Sequence, residues 1–258
     1  MGSAISRVSD AVAIPESAQG SVPDDHPIAL MQSSSLPSLV AEELTRQILA
    51  GTLAAGAKLN ELDIAARLRV SRGPVREAFR ALEESGLVRF EKNRGVFVRQ
   101  IGFREADEIF ELRALLDEYA GRRAARNASV SDIAGLRALI DRMAAAATRG
   151  DSDGYFDLNL AFHDRIVDLA GNAKLAQLYR RLVNELNLHR RASLAHVANL
   201  TVSVAEHRAI VDEIAAGKSA AAGRRLHDHV LQSHQRSRRS RDTSTIAAST
   251  RAGRKKVR

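Results

Sequence analysis

Residues Leu62–Glu83, LDIAARLRVSRGPVREAFRALE, decide the fold. They carry two short helical periods broken around Arg69-Val70-Ser71. Leu62, Ala65 and Leu68 recur on one face of the first, and Val75, Ala78, Phe79 and Leu82 on one face of the second. Ser71 takes the N-cap position of the second helix. Pro74 is tolerated in its first turn, where an N–H has no intrahelical partner. Val70 bridges the turn, so the stretch reads as a helix-turn-helix. Arg72, Arg76 and Arg80 are spaced four apart and form a basic ridge along the second helix. The N-terminal end of such a helix fits a major groove, where an arginine bonds guanine O6 and N7. A small helical domain with a solvated arginine face has the same pattern, and periodicity alone does not separate the two.

Upstream, Leu39, Leu44, Ile48 and Leu49 mark another helix stopped near Gly51, and Asn60 with Asp63 resembles a capping box for the helix through Leu68. Downstream, Glu84-Ser85-Gly86 is a stop. Leu87-Val88-Arg89-Phe90 and Gly95-Val96-Phe97-Val98 then read as strands around the turn Glu91-Lys92-Asn93-Arg94. Lys92, Asn93 and Arg94 would stand at the hairpin tip, with Gly95 allowing close approach to a phosphate or minor groove. Residues 36–100 are therefore expected to form a winged helix-turn-helix of three helices and a β-hairpin wing. From Phe103 the pattern is helical throughout. Its apolar stripes are Ile109/Leu112/Leu116/Tyr119, Ile133/Leu136/Leu139/Ile140/Met143 and Leu158/Phe162/Ile166/Leu169, the last stopped at Gly171-Asn172. Leu175/Leu178/Leu182/Leu186/Leu188, Ile210/Val211/Ile214 and Leu226/Val230 follow, with Ser203 and Glu206 as a capping box for the fifth helix and Ser219 capping the sixth. Residues 101–235 are expected to be a six-helix all-α bundle, which makes the chain mainly α.

The chain has 258 residues, enough for one large domain or two small ones. No apolar run is long enough to span a membrane, and no secretory signal opens the chain. Zero cysteines exclude a disulfide framework and a cysteine zinc finger, which makes a cytoplasmic protein the default. Aromatics are 4%, too sparse for stacking on single-stranded nucleic acid. The net charge of +8 is unevenly placed. Residues 1–35 hold one basic and four acidic side chains, residues 36–100 eleven and eight, residues 101–235 eighteen of each, and residues 236–258 nine and one. The first segment reads as a disordered leader and the last as a basic disordered tail.

Three of the eight histidines fall on the apolar stripes of three separate bundle helices. Asn159 and His163 are i,i+4 neighbours, His207 shares a face with Ile210 and Ile214, and His229 follows Leu226 by three. A buried imidazole needs a partner. Convergence on one cation would supply it for all three, and neutral imidazoles suit Zn, Ni, Fe or Cu. The alternative is three separate hydrogen-bonded core histidines. His189, His196 and His234 read as surface or core fillers, and His227 points elsewhere. Three His with an open position also describe a hydrolytic zinc site. No HExxH pairing accompanies them, however, and Glu206 is assigned to a helix cap, so no enzyme activity is expected.

The segment from Leu39 to Arg99, above all VSRGPVREAFRALEESGLV and NRGVFV, resembles the winged helix of the GntR family of bacterial regulators. The resemblance implies that Arg72, Arg76 and Gly95 contact double-stranded operator DNA, with Ser71, Gly73 and Arg94 beside them. The fatty-acid-responsive branch carries a further DNA-contacting arginine roughly where Leu62 stands here. Residues 101–235, through Glu111-Leu112-Arg113, Asn159-x3-His163, Glu206-His207 and His229, resemble the FCD ligand-binding domain of the FadR-like subfamily. That resemblance implies a divalent metal held by Asn159, His163, His207 and His229, with Zn expected and Ni, Fe or Mn as alternatives. It further implies a small carboxylate effector completing the coordination, Arg113 as an effector contact, and a homodimer. Asp is the commoner residue at the Asn159 position, and the neutral amide leaves the site more positive, which favours an anionic effector. The expected protein is a metabolite-responsive transcriptional repressor; a sensor of the metal ion itself is the alternative.

Overall fold

The computed structural model describes residues 35–193 and 200–255, with side chains over 35–190 and 200–239. The expected leader, apart from Ser35, and His196 lie outside the described residues. The chain begins with α1 (Leu36–Leu49), β1 (Lys58–Leu59), α2 (Glu61–Leu68) and α3 (Arg72–Glu84), then β2 (Val88–Glu91) and β3 (Gly95–Val98). The strands form one antiparallel sheet in the order β1-β3-β2, with Val88 opposite Val98 and Glu91 opposite Gly95. This is the winged helix-turn-helix expected from the sequence, with one addition. β1 pairs Lys58 with Phe97 and Leu59 with Val96, giving the hairpin a third strand.

Among the described residues six helices follow: α4 (Phe103–Asn127), α5 (Val130–Thr148), α6 (Ser152–Leu169), α7 (Ala173–Ser193), α8 (Leu200–Ala215) and α9 (Ser219–Lys255). Their number and order match the apolar stripes. The longest helix–helix contact joins α4 to α9. It is close because glycines face it: a Cβ added at Gly223 would lie 2.6 Å from Arg122 Cγ and 2.8 Å from the Glu118 carbonyl oxygen. Phe162, Ile166, Ile140, Met143, Ile210 and Leu226 fill the interior of this bundle.

Several local readings are corrected. Leu62 is exposed; Ile64 and Ala65 are the buried residues of α2. Asn60 caps α2 by accepting from the Leu62 N–H, and Ser71 stands at the N-cap of α3 without a side-chain cap bond. Ser219 donates to the Arg122 carbonyl instead of capping α9. Ser203 and Glu206 do not cap α8, because both sit inside its helical residues Leu200–Ala215. The boundary expected at 235/236 falls within α9: Arg236 pairs with Glu206 and Arg238 with Asp107, so the basic segment begins as part of the folded helix.

The winged helix is seated on α7. Leu182, Leu186 and Leu188 are buried in the same apolar cluster as Leu44, Phe79, Leu87 and Val98. Arg99, just past β3, bridges Glu185 of α7 and Glu105 of α4. The Asn184 amide donates to the Ser85 carbonyl at 3.1 Å, and His189 Nδ1 lies 3.0 Å from the Ile101 carbonyl oxygen.

Candidate functional site

Two sites are built on this frame. In the first, Ser71, Arg72, Gly73 and Arg76 occupy the start of α3 and are all exposed, while Val75, Ala78, Phe79 and Leu82 bury the opposite face. Arg80 continues the exposed ridge. Arg94 and Gly95 are exposed at the end of the wing turn, where Gly95 has φ +108, a conformation that disfavours a side chain. Arg94 pairs with Glu91 and lies 5.4 Å from the Phe97 ring centroid. Glu61, at the first turn of α2, receives both Arg72 and Arg76, the latter at 2.7 Å, and the two arginines hold its carboxyl below the usual range. The ridge is therefore pre-arranged as a fork, with its guanidinium planes already oriented by one carboxylate. The sequence reading missed Glu61 as that partner.

In the second site, α6, α8 and α9 bring His163, His207 and His229 together in the bundle. All three are buried, and one ring nitrogen from each lies within 4.8 Å of the others. The ring centroids are 5.5 Å apart for His163 and His207, 5.3 Å for His163 and His229, and 4.4 Å for His207 and His229. His163 Nδ1 is 3.0 Å from Asp117 Oδ1, and His229 Nδ1 is 2.7 Å from Glu206 Oε2. These carboxylates fix two imidazoles and leave Nε2 of each as the available ligand atom, the arrangement by which outer-shell acids orient metal-binding histidines. Among the described residues neither nitrogen of His207 has a hydrogen-bond partner, although both are buried. Two orphaned nitrogens on one buried ring call for a ligand. Burial pushes His163 down to about 4 and His207 well below its usual value, so both are neutral and able to coordinate. The donor set fits a divalent ion of the Zn or Ni type.

Asp117, wholly buried on α4, is a second residue the sequence reading missed. Burial opposes its charge, but Arg113 and His163 outweigh that and hold its carboxyl below the usual range. Arg113 Nε donates to Asp117 Oδ2 at 3.1 Å. Glu206, corrected from a helix cap, is an orienting acid as well: it accepts from His229 and, through both oxygens, from Arg236 at 2.7 and 2.8 Å. Burial opposes its charge too, yet His229 and Arg236 bring it to about 2.

A cavity of about 120 Å³ lies one turn along the bundle from the histidines. Asn159 and Arg113 line it, as do His189 and His234. Asn159 thus stands in the cavity wall one turn before His163. His234 stacks on Phe110 at 4.0 Å between centroids and lies 2.7 Å from Asp107.

An exposed arginine ridge on a winged helix that is seated on an all-helical bundle is the arrangement of a DNA-binding regulator. Comparison with known proteins identifies the family. Residues 37–98 match the family model "Bacterial regulatory proteins, gntR family", and residues 108–232 match "FCD domain". The probable D-xylose utilization operon transcriptional repressor of Paenarthrobacter nicotinovorans is 32% identical over 200 residues, covering 76% of this chain and 86% of that protein. The transcriptional repressor RspR of Escherichia coli K12 is 26% identical, covering 73% and 83%. A putative GntR regulator from Rhodococcus sp. RHA1 superposes with a TM-score of 0.62 at 30% identity, covering 78% of this chain and 99% of that one. Escherichia coli McbR/YncC shares the fold with a TM-score of 0.68 at 24% identity, covering 80% and 98%. The chain belongs to the GntR family of bacterial transcriptional regulators and carries an FCD domain. The matched families and relatives are transcriptional regulators, not enzymes. Among the described residues no helix is long and apolar enough to cross a membrane.

Proposed function

We propose that this chain is a transcriptional repressor whose hold on a double-stranded operator is set by a small carboxylate bound at a divalent metal, Zn first, in the helical domain. His163, His207 and His229 would hold the ion. Asn159 would supply a further oxygen from the adjoining wall, and Arg113 would meet the effector's carboxylate. The observation that carries the reading is His207, a fully buried imidazole with both nitrogens unpaired at the meeting point of two other histidines. A resident ion supplies a Lewis-acidic centre for an anion. The chain's own part is to orient the imidazoles through Asp117 and Glu206 and to wall the site from water. The cavity next to the histidines favours an organic effector over the ion alone as signal. Glu206 is occupied by His229 and Arg236, so it is not placed as the general base of a hydrolase.

On DNA, Arg72 and Arg76 would read base edges, Ser71 and Gly73 would let the start of α3 approach closely, and Arg94 and Gly95 would follow the neighbouring groove. A homodimer would present two such helices to a palindrome. Support for it is the exposed apolar stripe Leu112, Leu115 and Tyr119 on α4, with Leu178 exposed on α7. Effector binding would shift the population between two bundle arrangements and so change operator affinity.

The test is metal analysis of dialysed protein together with operator binding by fluorescence anisotropy. The wild type should retain close to one ion per chain, and His207→Ala should lose it along with effector-dependent release from DNA. Equal metal content and equal effector response in both proteins would refute the reading.

A further inference from the structure

The cavity has a direction. Asn159 and Tyr155 stand one and two turns before His163 on α6, Ser203 one turn before His207 on α8, and Ser233 and Ser237 one and two turns after His229 on α9. All five line it and the three histidines do not, so the cavity opens one turn from the histidines and reaches two turns from them, about 12 Å along the bundle. Its two ends share one charge. Arg113 lies at the histidine end through its bond to Asp117, whereas Arg190 and Arg238 line the cavity with His234. Among the described residues no carboxylate lines it. Asp107, which meets His234 and Arg238, and the exposed Asp153, 3.4 Å from Arg190, stand outside the wall. The Arg190 guanidinium carbon lies 3.5 Å from the Phe156 ring centroid, a cation–π contact that restrains the side chain. A planar guanidinium matches a carboxylate or a phosphate through paired N–H donors.

We propose that the effector is an extended dianion, with one carboxylate engaged at the histidine centre and a second anionic group, carboxylate or phosphate, held by Arg190 and Arg238 at the far end. This rests on the metal-and-carboxylate reading above and adds a subsite to it. A chain of five or six carbons suits the span. The Ser203 and Ser233 hydroxyls and the Tyr155 hydroxyl, buried without a hydrogen bond of good geometry, line the stretch between.

The test uses the full-length protein loaded with Zn and, separately, stripped by chelator. It is titrated calorimetrically with probes that differ by the second anion: hexanoate against adipate, and gluconate against glucarate and 6-phosphogluconate. Two-anion probes should bind about tenfold or more tightly than their single-anion partners. That ratio should fall to within about threefold in Arg190→Gln and Arg238→Gln, both partly exposed positions whose change leaves Zn retention intact. Preference for glucarate or adipate identifies the far group as carboxylate, and preference for 6-phosphogluconate alone identifies it as phosphate. Equal binding of paired probes to the wild type, a preference that survives both arginine changes, or no binding by any two-anion probe would overturn the proposal. Stripping the metal reports on the other reading: it should weaken every probe alike, and unchanged binding would refute the metal while the ratios still judged the second subsite.

Discussion

Removing the Asp117 carboxylate tests the histidine centre through a residue that is not expected to touch the ion. Asp117 is wholly buried between Arg113 Nε and His163 Nδ1, and Arg113 is itself only 8% exposed. Asp117→Ala strands that guanidinium in the bundle without a counter-charge. Breaking a buried pair from one side costs about 3–5 kcal/mol. For a folded unit of this size each kcal/mol moves the melting temperature by about 2–4 °C, so the metal-stripped variant should melt roughly 6–20 °C below the stripped wild type. Asp117→Asn keeps the shape and one acceptor but loses the charge, and should lose about 1–3 kcal/mol. Both variants also free His163 to rotate, which should weaken Zn binding about 10–100-fold. Circular dichroism melts of stripped protein and Zn competition against a chromophoric chelator separate the two effects. The reasoning is refuted if Asp117→Ala melts within about 2 °C of wild type and binds Zn unchanged.

Gly223→Ala drives a Cβ against the Glu118 carbonyl and Arg122, so despite a helix-propensity gain near 1 kcal/mol it should destabilise by about 1–2 kcal/mol. The control is Gly135→Ala at an exposed position of α5, where an added Cβ meets nothing within 4 Å; it should stabilise by about 0.5–1 kcal/mol in urea melts. Arg76→Ala should weaken operator binding by about 1–3 kcal/mol and erase the preference over unrelated duplex, read by competition anisotropy. Truncation after Arg239 should leave Zn affinity unchanged while lowering salt-sensitive binding to random DNA. Truncation before Arg236 removes the partner of Glu206 and should weaken Zn as well, a difference one chelator titration resolves.

The legible parts of this molecule are those whose determinants are local. Each helix of the bundle announces itself by its own apolar period, and the three histidines stand out because each interrupts such a period. The arginine ridge is visible for the same reason. Asp117 was invisible because its partner His163 lies 46 residues away; along the chain it is one acid among many. β1 is two residues long, too short to show an alternation. Glu206 was misassigned because Ser203 and Glu206 have the spacing of a capping box, while both sit inside the helix and tertiary packing gives both residues other work. Leu62 misled for a related reason: a helix of 8 residues tolerates more than one apolar face, and packing against α3 selected Ile64 and Ala65.

Helix α7 sets a limit on how such regulators can be recombined. One of its faces walls the cavity through Val183, Leu186 and Asn187, while Leu182, Leu186 and Leu188 belong to the core of the DNA-reading domain. A chimera cut at the covalent junction near residue 100, to put a new sensor behind this reader, would sever that core and leave Arg99 facing a stranger's helix instead of Glu185. A biosensor made by exchange must therefore transplant the reader-facing surface of α7 onto the incoming domain. Over evolutionary time the same constraint ties the residues that wall the cavity to those that support the reader, because Leu186 belongs to both.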